Sequence, residues 1–318
     1  MSVKYRPKHV LEYVALRGIG GLIALIPYRM ALAVGWGLAV LAHGIVRFRV
    51  AEARRRIRQV FGLAIPERTV RRIAWISLRN TCFNAVELMR LSGLSRSWID
   101  RHTDYVQIEA LRSLLKADRG ALFVVPHTGN WDLSAVAVHL LQFPLFLVVG
   151  RQKNPLVDAW LNRQRRVTGI ETIPYDDSVL RKVVHNLRAG KILAFMTDLR
   201  SRTPGVQVRF LGHDANVVGG MGLFARLADA PIFPIVVTRV GWTRHHMRLF
   251  DPVLPDHSLE REEDGRRMTQ QVMNIYERII REEPEQYFWY NKRWILDPLN
   301  PPIAATSGPA PGPAAPAG

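Results

Sequence analysis

A histidine and an aspartate lie five positions apart in the polar run HTGNWD at residues 127–132. On a continuous helix, side chains with that spacing point about 140° away from each other. His127 and Asp132 can therefore meet only if the chain turns between them, which the glycine and asparagine of the run permit. Asp132 would then accept a hydrogen bond from one imidazole nitrogen and stabilise the imidazolium that forms when the other nitrogen takes a proton.

A histidine held in this way is a general base. Histidine ionises close to neutral pH, so it can remove the proton of an attacking hydroxyl group, which contributes roughly 10²- to 10⁴-fold to a rate. No serine or cysteine nucleophile is evident beside His127. We therefore expect the acceptor hydroxyl to attack a donor carbonyl directly, with no covalent enzyme intermediate and no metal. The spacing is equally compatible with a histidine at a strand end and an aspartate that caps a helix.

The segments around this run alternate between two kinds of pattern. Continuous apolar runs of strand length are separated by stretches with helical periodicity, which predicts an α/β fold with a mostly parallel central sheet. His127 then follows a strand at the carboxyl edge of the sheet, where open α/β sheets bind their ligands. The predicted strands cover 121–125, 145–149, 192–196 and 232–238, and the predicted helices cover 66–91, 133–141, 155–167, 177–189, 219–229 and 260–282.

Composition excludes several classes of protein. The chain has 318 residues, of which 48% are hydrophobic, so it can bury a sizeable core. Its single cysteine, Cys82, can form neither an internal disulfide nor a cysteine-based metal site. There is no Gly-x-Gly-x-x-Gly, no Walker loop and no Gly-x-Ser-x-Gly elbow between a strand and a helix. Dinucleotide, nucleoside-triphosphate and serine-hydrolase functions therefore lose their main support.

The formal net charge of +17 predicts an anionic partner. Nucleic acid, an anionic bilayer and an acidic carrier protein all fit that charge. The basic residues flank apolar stretches near the N-terminus and form no recognisable nucleic-acid reading motif. A membrane surface is therefore favoured, and a nucleic-acid-binding protein would leave the strand-end motifs unexplained.

Residues 18–46 are poor in charge and form a candidate membrane segment. Pro27 and Arg29 interrupt it, and the longest uninterrupted part falls short of the roughly 18 to 20 apolar residues that a spanning helix needs. Monotopic insertion is therefore favoured over a crossing, and the alternative is a buried helical hairpin with a solvated basic edge. Lysines and arginines that suit anionic headgroups lie at positions 4, 6, 8 and 17 and at positions 47, 49, 54, 55, 56 and 58.

The segment PHTGNWD at 126–132 resembles the His-x-x-x-x-Asp/Glu motif of the bacterial lipid A late (lauroyl/myristoyl) acyltransferases and related glycolipid acyltransferases, within the lysophospholipid acyltransferase superfamily. Three further segments are similar to family segments, so the resemblance extends along most of the chain. They are RQKNP at 151–155, FMTD at 195–198 and PEQYFWYNKRW at 284–294, the last with Asn291 and Lys292 in place of a histidine and an arginine.

The resemblance implies a catalytic dyad of His127 and Asp132 in an α/β sandwich of the glycerolphosphate-acyltransferase type. It also implies substrate-binding roles for Arg151, Asn154, Arg165 and Asp198. Arg163 and Arg166 lie close enough to Arg165 to blur its register, and guanidinium groups there suit phosphates on the acceptor or on a phosphopantetheine arm. A solvated helix face is the alternative for each arginine. Asp198, at the end of another strand, could orient the substrate or a basic side chain, or simply cap the turn.

The family moves a fatty acyl chain from acyl-acyl carrier protein or acyl-CoA to a membrane glycolipid. The resemblance therefore implies O-acyl transfer to a hydroxyl of a lipid A precursor, in lipopolysaccharide biosynthesis at the cytoplasmic face of the inner membrane. One alternative is another acceptor, such as a phosphatidylinositol mannoside or an aminolipid. An alternative of another class is a non-catalytic, basic peripheral membrane protein.

The expected organisation has three parts. Residues 1–60 form a membrane-associating helical segment, monotopic or a single N-terminal anchor, residues 61–300 the acyltransferase domain, and residues 301–318 a disordered Pro/Ala/Gly tail. The expected partners are the acyl carrier protein or CoA thioester, anionic membrane lipids and the glycolipid acceptor, with no nucleic acid. No cofactor is expected, because the acyl thioester is a co-substrate.

Overall fold

The computed structural model describes residues 6–106, 119–150 and 152–297. Arg151 and the tail predicted at 301–318 lie outside the described residues, so what the sequence predicts for them stays a prediction. The same holds for the predicted division at residues 60 and 300, which the structure does not test.

Four helices form the described N-terminal part. They are α1 (Pro7–Leu25), α2 (Tyr28–Val40), α3 (Val50–Phe61) and α4 (Glu67–Arg90), and a π-helical turn, Leu41–Ile45, extends α2. Pro27 separates the first two helices, because the residue before a proline avoids the helical conformation and Ile26 is extended, with ψ 154°. Helix α4, predicted from its apolar spacing, packs against α1 and α2 through Phe83 and Val86.

The remaining elements build the sheet and its covering helices. In chain order they are α5 (Arg96–His102), β1 (Thr103–Val106), β2 (Ala121–Val125), α6 (Trp131–Leu140), β3 (Leu145–Val149), α7 (Pro155–Val167), β4 (Glu171–Pro174), α8 (Val179–Arg188), β5 (Ile192–Met196), β6 (Val206–Phe210), β7 (His213–Val217), α9 (Met221–Ala228), β8 (Ile232–Val240), β9 (Arg244–Leu249) and α10 (Arg261–Glu282).

The central sheet confirms the predicted mixed α/β fold. Within the described residues its strand order is β1-β9-β8-β2-β5-β3-β4, and every neighbouring pair is parallel except β8 and β9. Strand β2 is buried along its whole length, as expected for a strand covered on both faces. Strands β6 and β7 form a separate antiparallel hairpin.

Strands β1, β4 and β9 and the β6–β7 hairpin were not predicted from the sequence. In β9 the buried positions His245, Met247 and Leu249 alternate with more exposed, basic ones. Half-buried strands of this kind lack the continuous apolar run that made β2, β3, β5 and β8 recognisable. Strands β1 and β4 are the edge strands of the sheet, β9 lies between β1 and β8, and the β6–β7 hairpin lies outside the sheet.

Helices α1 and α2 expose an apolar face. One side of this pair is buried against α4 through Ile23, Ala31 and Leu32. The other side carries large hydrophobic side chains that are mostly exposed, including Leu11, Val14, Leu22, Leu25, Met30, Trp36, Leu38 and Ile45. The stretch Tyr28–Ile45 is long and apolar enough to cross a membrane, and 22% of it is buried. The helix pair is therefore buried on one side only, unlike the fully buried hairpin considered as an alternative. A large exposed apolar face of this kind marks an interaction surface.

Candidate active site

The register of the central strands brings the ends of β2 and β5 together. Val125 pairs with Met196 in these parallel strands, and each strand ends at that residue. His127 and Asp198 each lie two residues beyond those ends. The sheet therefore places the imidazole beside a carboxylate that is 71 positions away in the sequence.

Asp198 holds His127 at two points. Nδ1 of His127 lies 2.6 Å from Oδ1 of Asp198, and the backbone N–H of His127 donates to Oδ2 at 2.9 Å. A carboxylate offers only acceptor oxygens, so the shared proton belongs to Nδ1 and the lone pair is left on Nε2. This is the tautomer that a general base requires. The side chain of Asp198 is 1% exposed, whereas that of His127 is 11% exposed.

Asp132 does not take the place that the five-residue spacing suggested. Asn130 caps α6 by accepting the N–H of Leu133 at 3.0 Å, so Asp132 belongs to the first turn of that helix. Its Oδ1 lies 3.6 Å from a guanidinium nitrogen of Arg165. The hydrogen bond expected between Asp132 and the imidazole is made by Asp198 instead, because the sheet register brings that residue closer. A catalytic role for Asp132 stays a prediction.

The carboxyl group of Asp132 remains an electrostatic neighbour of the imidazole. Its removal from water raises the pKa of Asp132, and the positive charge of Arg165, followed by His127, lowers it. Burial has the larger effect, so the pKa of this carboxyl lies above its ordinary value. Among the neighbouring groups, Arg165 does most to stabilise the negatively charged form of Asp132.

The three nearby arginines of α7 differ in their position relative to Asp132. Arg165 is half-buried and faces Asp132, whereas Arg163 and Arg166 are exposed. The position that resembles the functional arginine of the family is therefore the one that the structure brings to the site. The proposed contact of Arg165 with substrate stays a prediction.

Asn154 has a structural task at the start of α7. Its Oδ1 accepts the N–H of Leu156 at 3.0 Å and so caps the helix. Its amide group donates to the carbonyl of His9 at 3.0 Å and to Glu12 at 2.8 Å, both in α1. Asn154 thus ties α7 to the N-terminal helices, and its predicted contact with substrate stays untested.

The C-terminal signature at 284–294 forms hydrogen bonds to the backbone of the loop that carries His127. The N–H of Phe288 donates to the carbonyl of His127 at 2.9 Å, and the N–H of Gly129 donates to the carbonyl of Gln286 at 3.1 Å. Its aromatic residues Tyr287, Trp289, Tyr290 and Trp294 are buried. These aromatic side chains pack in the hydrophobic core.

Gly129 meets a strict steric requirement. It has φ +51°, a conformation that favours glycine. A Cβ at this position would overlap with the backbone carbonyl of Val237 in β8. The loop can approach β8 this closely only because position 129 has no side chain.

Two aromatic rings flank the imidazole. The ring centroid of Trp131 lies 5.0 Å from that of His127, and that of Phe288 lies 6.4 Å away. The two rings themselves are 6.0 Å apart. Together they give the exposed edge of His127 an apolar wall.

A buried polar network centred on Glu87 supports the loop from behind. Arg239 donates to both carboxylate oxygens of Glu87, at 2.8 and 2.6 Å, and Asn130 donates to Oε2 at 2.5 Å. Tyr28 at the start of α2 donates to Oε1 at 2.5 Å, and Nε2 of His245 lies 3.3 Å from the same oxygen. The network therefore joins α2, α4, β8 and β9 to Asn130, the residue that caps α6.

Sequence reasoning missed this network, although a signal for it was present. Glu87 stands between Val86 and Leu88 on a helix whose apolar positions were recognised, and Arg239 is the penultimate residue of the largely apolar strand β8. Charged residues are almost never fully buried unless they are paired. Glu87 is 2% exposed and Arg239 4% exposed, so a carboxylate and a guanidinium on apolar elements could have been matched to each other.

The sequence model of the family described as bacterial lipid A biosynthesis acyltransferase matches residues 4–295. The chain belongs to this family. It is therefore an acyltransferase, and the resemblance drawn from the four sequence segments is confirmed. The non-catalytic membrane protein weighed as an alternative loses its support.

The acyltransferase has relatives named for two kinds of acceptor. It is 26% identical over 216 residues to a phosphatidylinositol mannoside acyltransferase of Mycolicibacterium smegmatis, covering 66% of this chain and 68% of that protein. It is 24% identical over 302 residues to a lipid A biosynthesis lauroyltransferase of Escherichia coli, covering 93% and 95%. A solved 1-acyl-sn-glycerophosphate acyltransferase from Thermotoga maritima matches 87% of this acyltransferase and 98% of that chain, with 13% identity and a TM-score of 0.38.

Proposed function

We propose that this acyltransferase moves a fatty acyl chain from acyl-acyl carrier protein or acyl-CoA to a hydroxyl group of a lipid A precursor or similar glycolipid. The observation that carries the proposal is the pairing of His127 Nδ1 with the buried carboxylate of Asp198 at 2.6 Å. That pairing leaves Nε2 as the basic nitrogen at the carboxyl edge of the sheet.

The proposed reaction is a direct acyl transfer. Nε2 of His127 takes the proton of the acceptor hydroxyl while the hydroxyl oxygen attacks the thioester carbonyl. The tetrahedral intermediate collapses as the carbon–sulfur bond breaks, and the departing thiolate takes the proton from the imidazolium. The products are the ester and the free thiol, and the histidine returns to its starting state. Asp198 stabilises the imidazolium in both steps.

Asp132 and Arg165 have a proposed electrostatic role in the same reaction. The carboxylate of Asp132 pairs with Arg165 and is itself an electrostatic neighbour of the imidazole. A guanidinium group there suits an anionic part of either substrate. Asp132 remains part of the proposed machinery, although it acts through charge and not through the direct hydrogen bond to His127.

The lipid A precursor is the favoured acceptor because the relative named as a lauroyltransferase is matched over 93% of this chain. The relative named for phosphatidylinositol mannoside is matched over 66% of it. The second acceptor class is thus kept as the alternative. Lipid mass spectrometry of a deletion strain separates the two, since loss of a secondary acyl chain from lipid A would reject the mannoside.

The proposed place of action is the cytoplasmic face of the inner membrane. The free apolar face of α1 and α2, with leucine and tryptophan side chains exposed, suits shallow insertion into a bilayer. Exposed basic residues flank it, including Arg6, Lys8, Arg17, Arg29 and Arg47, and they suit anionic headgroups.

The decisive experiment compares the purified enzyme with its His127→Ala variant. Both are supplied with acyl-acyl carrier protein or acyl-CoA and with membrane lipids, and product is measured by mass spectrometry. We expect the variant to lose roughly 10²-fold or more of the rate. Equal product from the two proteins would reject His127 as the base.

A further inference from the structure

The β8–β9 hairpin ends in an exposed apolar turn. Val240, the last residue of β8, is 52% exposed, and Trp242 in the turn is 40% exposed. Gly241 between them has φ +60°, a conformation that favours glycine and lets the chain reverse direction within a few residues. Val240 pairs with Arg244 across the two strands. Residues 240–242 therefore form the outermost part of the hairpin, which we call the hairpin tip.

The strand pairing puts the hairpin tip at the edge of the sheet that carries His127. Strands β2 and β8 are parallel, with Val124 beside Pro234, so both end at the same edge. The loop after β2 runs along β8, because Gly129 packs directly against the backbone of Val237. The tip begins three residues further on and extends roughly 10 Å past that contact, at about 3.3 Å per residue.

Aromatic contacts place the hairpin tip beside the N-terminal helix pair. The ring centroid of Trp242 lies 5.2 Å from that of Phe83 on α4. Phe83 is buried together with Ala31 and Leu32 of α2, and its ring also packs against the backbone of Gly35. Because α2 and Trp242 both cover Phe83, the tip lies next to the helix pair whose other face is exposed and apolar.

A buried arginine holds the hairpin tip in position. The guanidinium of Arg239 donates to the carbonyl of Trp242 at 2.8 Å and to the carboxylate of Glu87, and it lies 5.3 Å from the ring of Phe83. The tip is thus tied to the same network that binds Asn130 at the start of α6. A surface that is already ordered loses less conformational entropy when it binds a partner.

Exposed arginines lie on the same side of the molecule. The ring of Tyr28 in α2 is 5.4 Å from that of His102, and the neighbours of these two residues, Arg29 and Arg101, are exposed. His102 ends α5 just before β1, which pairs with β9. Arg244 at the start of β9 is also exposed, although a surface carboxylate pairs with it. Cations beside exposed apolar side chains suit anionic headgroups.

We propose that the hairpin tip inserts into the same anionic bilayer as the helix pair and forms a second membrane contact. The proposal rests on the proposed function, because a membrane-lipid acceptor requires the edge that carries His127 to reach the bilayer. Tryptophan is typical of the boundary between water and the apolar part of a membrane. Two contacts, one on the helix pair and one at the tip, fix the orientation in which this edge faces the headgroups.

The test places an environment-sensitive fluorophore at the hairpin tip. Val240→Cys in the full-length protein is labelled with nitrobenzoxadiazole. Leu254→Cys is the matched control, because Leu254 is also exposed and follows Val253, which pairs with Ile232 at the opposite end of β8. The native Cys82 is half-buried, and burial raises its pKa to about 11, so its thiol reacts slowly. Wild-type protein treated with the same label gives the background.

Vesicles of phosphatidylcholine, with and without phosphatidylglycerol, are added to each labelled protein. We expect anionic vesicles to raise the emission at position 240 about twofold or more, as the fluorophore enters the apolar part of the bilayer. Lipids with a spin label on the acyl chain should quench that emission. Position 254 should not respond. Unchanged emission at position 240, or a response to acyl carrier protein and not to vesicles, would overturn the proposal.

Substitutions at the hairpin tip give an independent measurement. We expect Val240→Asp and Trp242→Asp each to weaken sedimentation with anionic vesicles by about tenfold, because an apolar side chain no longer leaves water. Leu254→Asp should leave sedimentation unchanged. Val240 contributes no core packing, so Val240→Asp remains informative if Trp242→Asp disturbs the contact with Phe83. Equal sedimentation of Val240→Asp and Leu254→Asp would reject the tip as a membrane contact.

Neither vesicle measurement requires acyl transfer, so the two proposals can fail separately. Insertion of the hairpin tip by an enzyme that transfers no acyl group to a glycolipid would reject the proposed function and keep the membrane contact. Transfer by an enzyme whose tip does not insert would overturn the membrane contact and leave the test on His127 as it stands.

Discussion

Two carboxylates near His127 differ in what they contact. Asp198 is fully buried and accepts hydrogen bonds from both the ring and the backbone N–H of His127. Asp132 lies in the first turn of α6 and pairs with Arg165. One carboxylate therefore sets the tautomer of His127, the proposed base, and the other pairs with the positive charge of Arg165.

This division predicts which substitutions act as a unit. We expect Asp198→Asn to lower kcat/KM by about 10²-fold or more, because the amide no longer holds the required tautomer. Little further loss is expected when it is added to His127→Ala. Asp132→Asn and Arg165→Gln should instead be non-additive with each other, since residues in contact share one effect.

Double-mutant cycles of kcat/KM measure both couplings. Arg166→Gln, an exposed neighbour on the same helix, serves as the control for Arg165→Gln. Strong coupling of Asp132 to His127, together with additivity between Asp132 and Arg165, would contradict the assignment.

At the scale of elements, α4 holds the loop that carries His127 through hydrogen bonds from its polar side chains. Glu87 on this helix accepts hydrogen bonds from Asn130 at the cap of α6 and from Arg239 at the end of β8. The amide of Asn84, one turn earlier, donates to the carbonyl of Gly129. The position of the loop that carries His127 therefore depends on polar side chains buried between α4 and β8.

Replacing the centre of that network should destabilise the protein strongly. We expect Glu87→Gln to cost about 3–5 kcal/mol, because it leaves the buried guanidinium of Arg239 without its counter-charge. Thermal and denaturant unfolding give the measurement. Glu67→Gln is the control on the same helix, since Glu67 pairs with Arg58 and Arg71 at the surface and should change stability far less. Equal effects of the two substitutions would count against the network.

For the whole molecule, stability should depend on pH through the same network. Burial alone would raise the pKa of Glu87, but Arg239 and His245 lower it well below its ordinary value of 4.5. For His245, burial is the largest effect and lowers the pKa from 6.5, while Glu87 acts in the opposite direction. Both groups bind protons more readily in the unfolded chain, so acid favours unfolding.

The sign of the dependence gives two stages. The contribution of His245 is fully present above about pH 6.5 and falls as acid protonates the unfolded chain. The contribution of Glu87 is present above about pH 4.5 and is lost as the pH falls towards its lowered folded value. Urea unfolding at pH 8, 5.5 and 4 should show a continuous decline, and His245→Gln should flatten its first part. A decline of the same size in this variant would remove His245 from the explanation.

The N-terminal helix pair gives the molecule an exposed apolar face, for which we propose contact with a membrane. Leu25 and Ile45 are 84% and 75% exposed, so changing them does not disturb the core. We expect Leu25→Asp/Ile45→Asp to weaken binding to anionic vesicles by about tenfold or more, since apolar insertion and attraction to the headgroups act together. Sedimentation with vesicles measures this effect.

Leu254→Asp is the control for the membrane prediction. Leu254 is 58% exposed and lies beyond β9, away from the helix pair. Its replacement should leave vesicle binding unchanged. Equal loss from both changes would show that the helix pair is not the contacting surface.

The sequence by itself determined the four apolar strands with helices between them, and it pointed to His127 as the proposed base. Continuous apolar runs such as 121–125 and 192–196 are typical of strands buried in the centre of a mostly parallel sheet. His127 follows one of these runs directly, and its place at the carboxyl edge followed from that pattern.

The tertiary structure alone decided which carboxylate holds the histidine. The neighbour of β2 is β5, and the register Val125 to Met196 was not encoded in any local spacing. The sequence pointed to Asp132 as the partner because it is only five residues from His127. Asp198 is 71 positions from His127 and is brought beside it by strand pairing. Local spacing shows which residues could meet, but long-range backbone pairing determines which of them do.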